Sequence, residues 1–80
     1  MTNLEKYNEV FRTVLSIDDC QLKGLSYQGI PSWDSVGHMS LISALEDAFD
    51  IMMDTDDIID FSSYEKGKII LSKDEYGVKF

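Results

Sequence analysis

Apolar residues recur at helical spacing in the middle of the chain, and this repeat limits the fold more than any other feature of the sequence. Between positions 36 and 49 they lie three or four residues apart, at Val36, Met39, Ile42, Leu45 and Phe49. Such spacing predicts a helix of about four turns with one continuous apolar side. Because that side must be covered, the sequence predicts further helices around one core.

The residues before this repeat mark where the helix begins. Gly29 and Pro31 interrupt regular structure, and Asp34 and Ser35 have side-chain oxygens that accept from the free N–H groups of a first turn. We predict a helix from Ser35 to about residue 49. A hydroxyl here lies near the positive end of the helix dipole, where an attached anion gains about 0.3–1 kcal/mol.

Three further helices are predicted from similar patterns. Apolar spacing predicts the first over about Asn3–Leu15, residues 54–60 predict a short third helix, and a Ser62–Glu65 capping box predicts a fourth that ends near Lys73. No segment alternates apolar and polar residues as a half-buried strand does. The predicted fold class is all-α, a small four-helix bundle with three longer helices and one short one.

Two segments lie outside the predicted helices. Residues 20–32 form a long connection between helices one and two, and its apolar residues Leu25, Tyr27 and Ile30 are interpreted as core anchors rather than ligand contacts. Residues 74–80 are expected to form a loosely ordered C-terminal tail.

Composition narrows the classes of function. Fifteen acidic and seven basic residues give a formal net charge of -8, which argues against binding to nucleic acid or an anionic membrane and predicts partners with basic surfaces. No apolar run reaches the ~20 residues of a membrane span. The first residues lack a signal-peptide pattern, and Cys20 is the only cysteine. We therefore expect one domain over residues 1–80, cytoplasmic and monomeric.

The run DSVGHMSLISALEDAFDI, which begins at Asp34, resembles the phosphopantetheine-attachment segment of acyl carrier proteins. In that family an Asp-Ser-Leu motif opens the second helix, and a hydrophobic-acidic stretch like ALEDAFDI closes it. The variant WDS-x-GHM, which begins at Trp33, is similar to freestanding carrier proteins of specialised pathways. The resemblance covers nearly the whole chain and implies a four-helix bundle with a long loop between helices one and two.

The resemblance also implies a role for Ser35. A phosphopantetheinyl transferase would attach 4'-phosphopantetheine from coenzyme A to the Ser35 hydroxyl, and acyl-type cargo would travel as a thioester on that arm. The protein would not be an enzyme; it would shuttle intermediates of lipid or polyketide biosynthesis between loading and processing enzymes. Asp34 and Val36 would form the flanking motif. His38, one turn further on, is a candidate neighbour of the phosphate, with an exposed residue of no role as the alternative.

A partner-binding surface is predicted on the second and third helices. No Lys or Arg occurs from Gly24 to Glu65, so a negative field on this side would steer basic enzymes and speed their encounter. The predicted contacts are apolar residues near the serine and acidic residues further on: Trp33, Val36, Met39, Glu46, Asp47, Asp54, Asp56 and Asp57. Trp33 is equally consistent with a core anchor.

The sequence departs from the family pattern at three positions. Val36 replaces the commoner Leu, and Gly37 and Ser40 stand where many fatty-acid carriers have acidic residues. These departures favour a dedicated secondary pathway over housekeeping lipid synthesis. An aminoacyl or peptidyl carrier and an unmodified carrier-like interaction module remain open.

Two other classes of function fit poorly. A hydrolase would need a third group to orient a Ser35–His38 pair, and the G-x-S-x-G elbow is missing. An EF-hand that starts at Asp54 would place Ile58 and Ile59 at its fifth position and at its glycine position. We therefore predict no catalytic residue and no metal site.

Overall fold

Four α-helices make up most of the computed structural model, which describes residues 2–80. The helices are α1 (Asn3–Leu15), α2 (Ser35–Phe49), α3 (Thr55–Asp60) and α4 (Tyr64–Leu71), with a 3-10 turn (Asp19–Gln21) between α1 and α2. The described residues contain no strand. The predicted all-α fold with one short helix is confirmed. No helix within residues 2–80 combines the length and apolar character that a membrane crossing requires.

The start of α4 differs from the prediction by one residue. The hydroxyl of Ser63, rather than that of Ser62, accepts from the backbone N–H of Lys66 (3.0 Å), so the predicted Ser62–Glu65 capping box is wrong. Ser62 instead presents its carbonyl oxygen to the backbone N–H of Tyr27 (2.8 Å). The long loop therefore helps to determine where α4 begins, which a local pattern does not reveal.

Aromatic residues from α1, the long loop and α4 form the centre of the core. The ring of Phe11 packs edge-on against Trp33 (5.6 Å between centroids) and against Tyr64 (5.3 Å). Trp33 is 0% exposed, so the prediction of a partner contact at this residue is wrong and the core alternative holds. Since a buried indole removes a large apolar area from water, Trp33 anchors the chain just before α2.

The side chain of Tyr7 in α1 and the ring of Phe61 pack directly against α4 at Gly67. This residue is buried, and a Cβ atom there would overlap the Tyr7 hydroxyl and the Phe61 ring. The Tyr7 hydroxyl donates to the carbonyl oxygen of Tyr64 (2.7 Å), which links α1 to the first residue of α4. The contact accounts for a glycine inside a helix, where it costs about 1 kcal/mol relative to alanine.

The C-terminal segment, residues 74–80, has no regular structure but is packed against the helices. Val78 is buried, and its backbone N–H donates to the carbonyl oxygen of Leu71 (3.0 Å). The side-chain amide of Asn3 donates to the carbonyl oxygen of Lys79 (3.0 Å). The segment thus contacts both α1 and α4, whereas the sequence predicted a loosely ordered tail.

Candidate functional site

Ser35 is the first residue of α2, and its side chain is exposed. Asp34 is the N-cap: its Oδ1 accepts from the backbone N–H of Gly37 (2.8 Å), and its carbonyl oxygen accepts from that of His38 (2.7 Å). A first turn carries N–H groups without intrahelical acceptors, and the cap uses one of them. The predicted boundary is therefore confirmed, and the Ser35 hydroxyl lies at the positive end of the helix dipole.

Tyr27 brings a second hydroxyl to the site. Its Oη atom lies 3.2 Å from Oγ of Ser35, which is hydrogen-bonding distance. Tyr27 is half-buried and packs against the core, as predicted, and its ring also lies edge-on to His38 (5.2 Å between centroids). No sequence signal identifies this neighbour, because the path of the loop brings Tyr27 to Ser35.

His38 is bonded through both ring nitrogens. The indole N–H of Trp33 donates to Nδ1 (2.9 Å), and because an indole nitrogen only donates, the proton of the neutral ring lies on Nε2. Nε2–H donates to the carbonyl oxygen of Ile58 in α3 (2.8 Å). The predicted phosphate neighbour thus has no ring nitrogen free for a phosphate at Ser35, and the alternative of an exposed residue without a role is wrong because His38 is half-buried. His38 instead connects α2 to α3.

Gly37 allows the long loop to approach α2. A Cβ atom at this position would overlap the carbonyl oxygen of Ser32. Ser32 is held from its other side, because its hydroxyl donates to the carbonyl oxygen of Leu15 at the end of α1 (2.8 Å). Glycine at position 37 thus has a packing reason: a longer side chain does not fit here.

An open apolar groove of about 320 Å³ begins at Ser35 and extends towards α3. Its walls are formed by Tyr27, Ser35, His38, Met39, Ile58, Ile59, Phe61 and Ser62. Val36, Met39 and Ile59 are 76%, 56% and 72% exposed. Large apolar side chains grouped on a surface are typical of a site that another molecule covers. The predicted contacts Val36 and Met39 are therefore accessible.

The four predicted acidic contacts outside the core differ in whether their carboxylates are accessible to a partner. Asp47, Asp54 and Asp56 are exposed. Glu46 is half-buried, and its Oε2 atom accepts from the backbone N–H of Met53 (2.9 Å). Glu46 therefore stabilises the connection after α2, and its carboxylate is less accessible to a partner than those of the three aspartates.

Asp57 is buried and belongs to an internal network, so its prediction as a partner contact is wrong. One carboxylate oxygen accepts from Nζ of Lys73 (2.6 Å) and the other from the hydroxyl of Tyr76 (2.5 Å). Both hydrogen bonds lower the pKa of the Asp57 carboxyl, and the bond from Lys73 has the larger effect. Burial and the bond to Asp57 raise the pKa of Tyr76 to about 12.

Three carboxylates converge beside this network. Oxygen atoms of Asp54, Asp57 and Glu75 lie within 4.8 Å of one another. The neighbouring Asp54 carboxyl raises the pKa of Glu75, because a protonated Glu75 can donate to it whereas two carboxylates repel each other. Both oxygens of Asp57 are already bonded to Lys73 and Tyr76, so a cation bound here would have to displace one of these donors.

Comparison with known proteins finds no counterpart: no family model matches the chain, and neither a curated protein nor a solved structure matches it.

Proposed function

We propose that this protein is an acyl carrier that bears 4'-phosphopantetheine on Oγ of Ser35 and transports acyl-type intermediates between enzymes. The observation that carries the proposal is the placement of Ser35, an exposed hydroxyl on the first residue of α2 beside an apolar groove. A modifying enzyme can reach such a hydroxyl.

The surroundings of Ser35 fit a phosphodiester with a largely apolar arm. The start of α2 provides backbone N–H donors and a favourable dipole for the anion. Met39, Ile58 and Ile59 line the groove that begins at the serine, and they offer apolar surface to the arm or its cargo. When attached, the group supplies a thiol on which cargo is carried. The chain supplies the hydroxyl, the helix start and the docking surface.

Loading asks only for a nucleophilic hydroxyl from this chain. A transferase would form a bond between Oγ of Ser35 and the β-phosphorus of coenzyme A. The bond from that phosphorus to the bridging oxygen would break, and 3',5'-ADP would leave with that oxygen. The hydroxyl proton would pass to a base of the transferase. His38 does not serve as that base, because its two ring nitrogens are bonded to Trp33 and Ile58. This arrangement favours a carrier over a hydrolase.

The exposed surface near Ser35 supports partners with an apolar centre and a basic rim, namely the transferase and acyl-loading and acyl-processing enzymes. Val36 and Ile59 provide apolar contacts near Ser35, and exposed Asp56 in α3 and Asp47 towards the end of α2 add negative charge further away. Charge of this kind mainly raises the rate of encounter, whereas buried apolar contacts hold a complex together. A shuttle needs rapid encounter without tight binding, and steering by charge supplies the rapid encounter.

Mass spectrometry after coexpression with a broad-specificity phosphopantetheinyl transferase tests the proposal. We expect the mass of one phosphopantetheine to be added at Ser35 and to be absent from Ser35→Ala. Ser40→Ala removes another exposed hydroxyl of α2 and is the matched control, which should load like the wild type. If the wild type stays unmodified while an unrelated carrier is loaded in the same cells, the unmodified interaction module becomes the better description.

A further inference from the structure

We infer that Tyr27 is a positioning residue for the group attached to Ser35, an inference that rests on the proposed function. The two hydroxyls lie 3.2 Å apart, so before loading they share a hydrogen bond that orients Oγ of Ser35. After loading, Oγ is an ester oxygen without a proton. The Tyr27 hydroxyl then has to be the donor, and the phosphodiester oxygens are the strongest acceptors beside it.

Tyr27 is held in place by contacts that do not involve Ser35. Its backbone N–H donates to the carbonyl oxygen of Ser62 (2.8 Å). Its ring packs edge-on against Trp33 (6.3 Å between centroids, 82°) and against His38 (5.2 Å, 65°). A hydroxyl that the fold has already positioned loses little conformational freedom when it binds a ligand.

The neighbourhood leaves the anion few other side-chain donors. No Lys or Arg occurs from Gly24 to Glu65. Both nitrogens of His38 are bonded within the chain, and Asp34 is an acceptor. Tyr27 thus offers a neutral donor that binds the phosphodiester without reducing the negative field that steers basic partners.

The test compares the wild type with Tyr27→Phe, which keeps the ring and removes only the hydroxyl. Loading by the transferase is followed with kcat and KM measured separately, and the loaded proteins are studied by phosphorus NMR. We expect kcat/KM to fall about 3- to 10-fold, the loss of one hydrogen bond, mainly through kcat because the docking surface is unchanged. We also expect the phosphodiester resonance to move. Ser40→Ala is the control and should change neither quantity.

A second measurement needs no variant. The carbon resonance of Tyr27 Cζ in the wild type should shift on loading, because the hydroxyl changes its acceptor. An unmoved Cζ resonance, or a Tyr27→Phe protein with the wild-type kcat and phosphorus resonance, would overturn the role of Tyr27 and leave the carrier function standing. A wild type that accepts no phosphopantetheine would instead overturn the carrier function, and this inference with it.

Discussion

The indole N–H of Trp33 donates to Nδ1 of His38 over 2.9 Å, and the two rings stack with their centroids 6.2 Å apart. Trp33 lies in the core two residues before the exposed Ser35, and His38 lies on α2 three residues after Ser35. His38 also donates to the carbonyl oxygen of Ile58, so its two hydrogen bonds connect the loop before α2 to α3. One wall of the groove beside Ser35 is therefore held by hydrogen bonds to a single imidazole ring.

Replacing His38 should destabilise the fold. In His38→Ala the buried N–H of Trp33 loses its acceptor, and we expect the free energy of unfolding in urea to fall by about 1–3 kcal/mol. Nitrogen NMR of the wild type at neutral pH should find the ring proton on Nε2. Ser40→Ala should unfold within about 0.5 kcal/mol of the wild type. A ring proton on Nδ1 would contradict the network.

Gly37→Ala separates helix propensity from packing. Alanine favours a helix interior by about 1 kcal/mol over glycine. The added Cβ meets the carbonyl oxygen of Ser32, and such overpacking costs about 1–3 kcal/mol. We therefore expect a lower melting temperature in calorimetry, whereas Ser43→Ala, at an exposed position of α2, should leave it nearly unchanged. A Gly37→Ala protein that melts above the wild type would show that the loop does not press on α2.

The Asp57 carboxyl should stabilise the protein only above acidic pH. Its folded-state pKa is lowered by the hydrogen bonds from Lys73 and Tyr76. A carboxyl of this kind adds stability above its unfolded pKa, and the contribution is lost as the pH falls through the folded value. We expect Asp57→Asn to lower the unfolding free energy at neutral pH by about 1–3 kcal/mol, with the difference shrinking below about pH 4. Asp60→Asn is the exposed control, and a difference independent of pH would argue against the ion pair.

The Glu75 carboxylate should destabilise the protein at neutral pH, whereas the Asp57 carboxylate stabilises it. The neighbouring Asp54 carboxyl raises the folded-state pKa of Glu75, so any stability that Glu75 adds is present below its unfolded pKa and is lost as the pH rises through the folded value. Glu75→Gln removes the charge, and thermal melts should show a higher melting temperature at neutral pH. The gain should vanish below about pH 4, where Glu75 is protonated. An equal gain at both pH values would require another cause.

Exposed apolar residues beside Ser35 should affect partners but not folding. Val36 and Ile59 are 76% and 72% exposed, so Val36→Ser and Ile59→Ser should melt like the wild type. If they contact the transferase, each should raise KM for loading by about fivefold, the effect of about 1 kcal/mol at an interface. Met52→Ser, at an 85% exposed position outside the groove, is the matched control. A wild-type KM in both variants would place the docking surface elsewhere.

The sequence alone determined that the chain is helical, the bounds of α1 and the start of α2. The apolar spacing over residues 36–49 and the cap at Asp34 are local, because they depend on residues within one or two turns of each other. α1 was predicted over Asn3–Leu15 for the same reason. The prediction of Ser35 as an attachment point stays a prediction, but its place on the first turn followed from these local signals.

Only the tertiary structure decided which side chains surround Ser35. The hydroxyl of Tyr27 lies beside that of Ser35, and His38 is hydrogen-bonded to Trp33 and Ile58 rather than to Ser35. Both arrangements depend on how the long loop packs against α2 and α3. The sequence does not reveal that Asp57 is buried, because its partner Lys73 lies sixteen residues later in the chain. Helix formation depends on neighbours in sequence, whereas burial and hydrogen-bond partners depend on the path of the chain between helices, which periodicity does not specify.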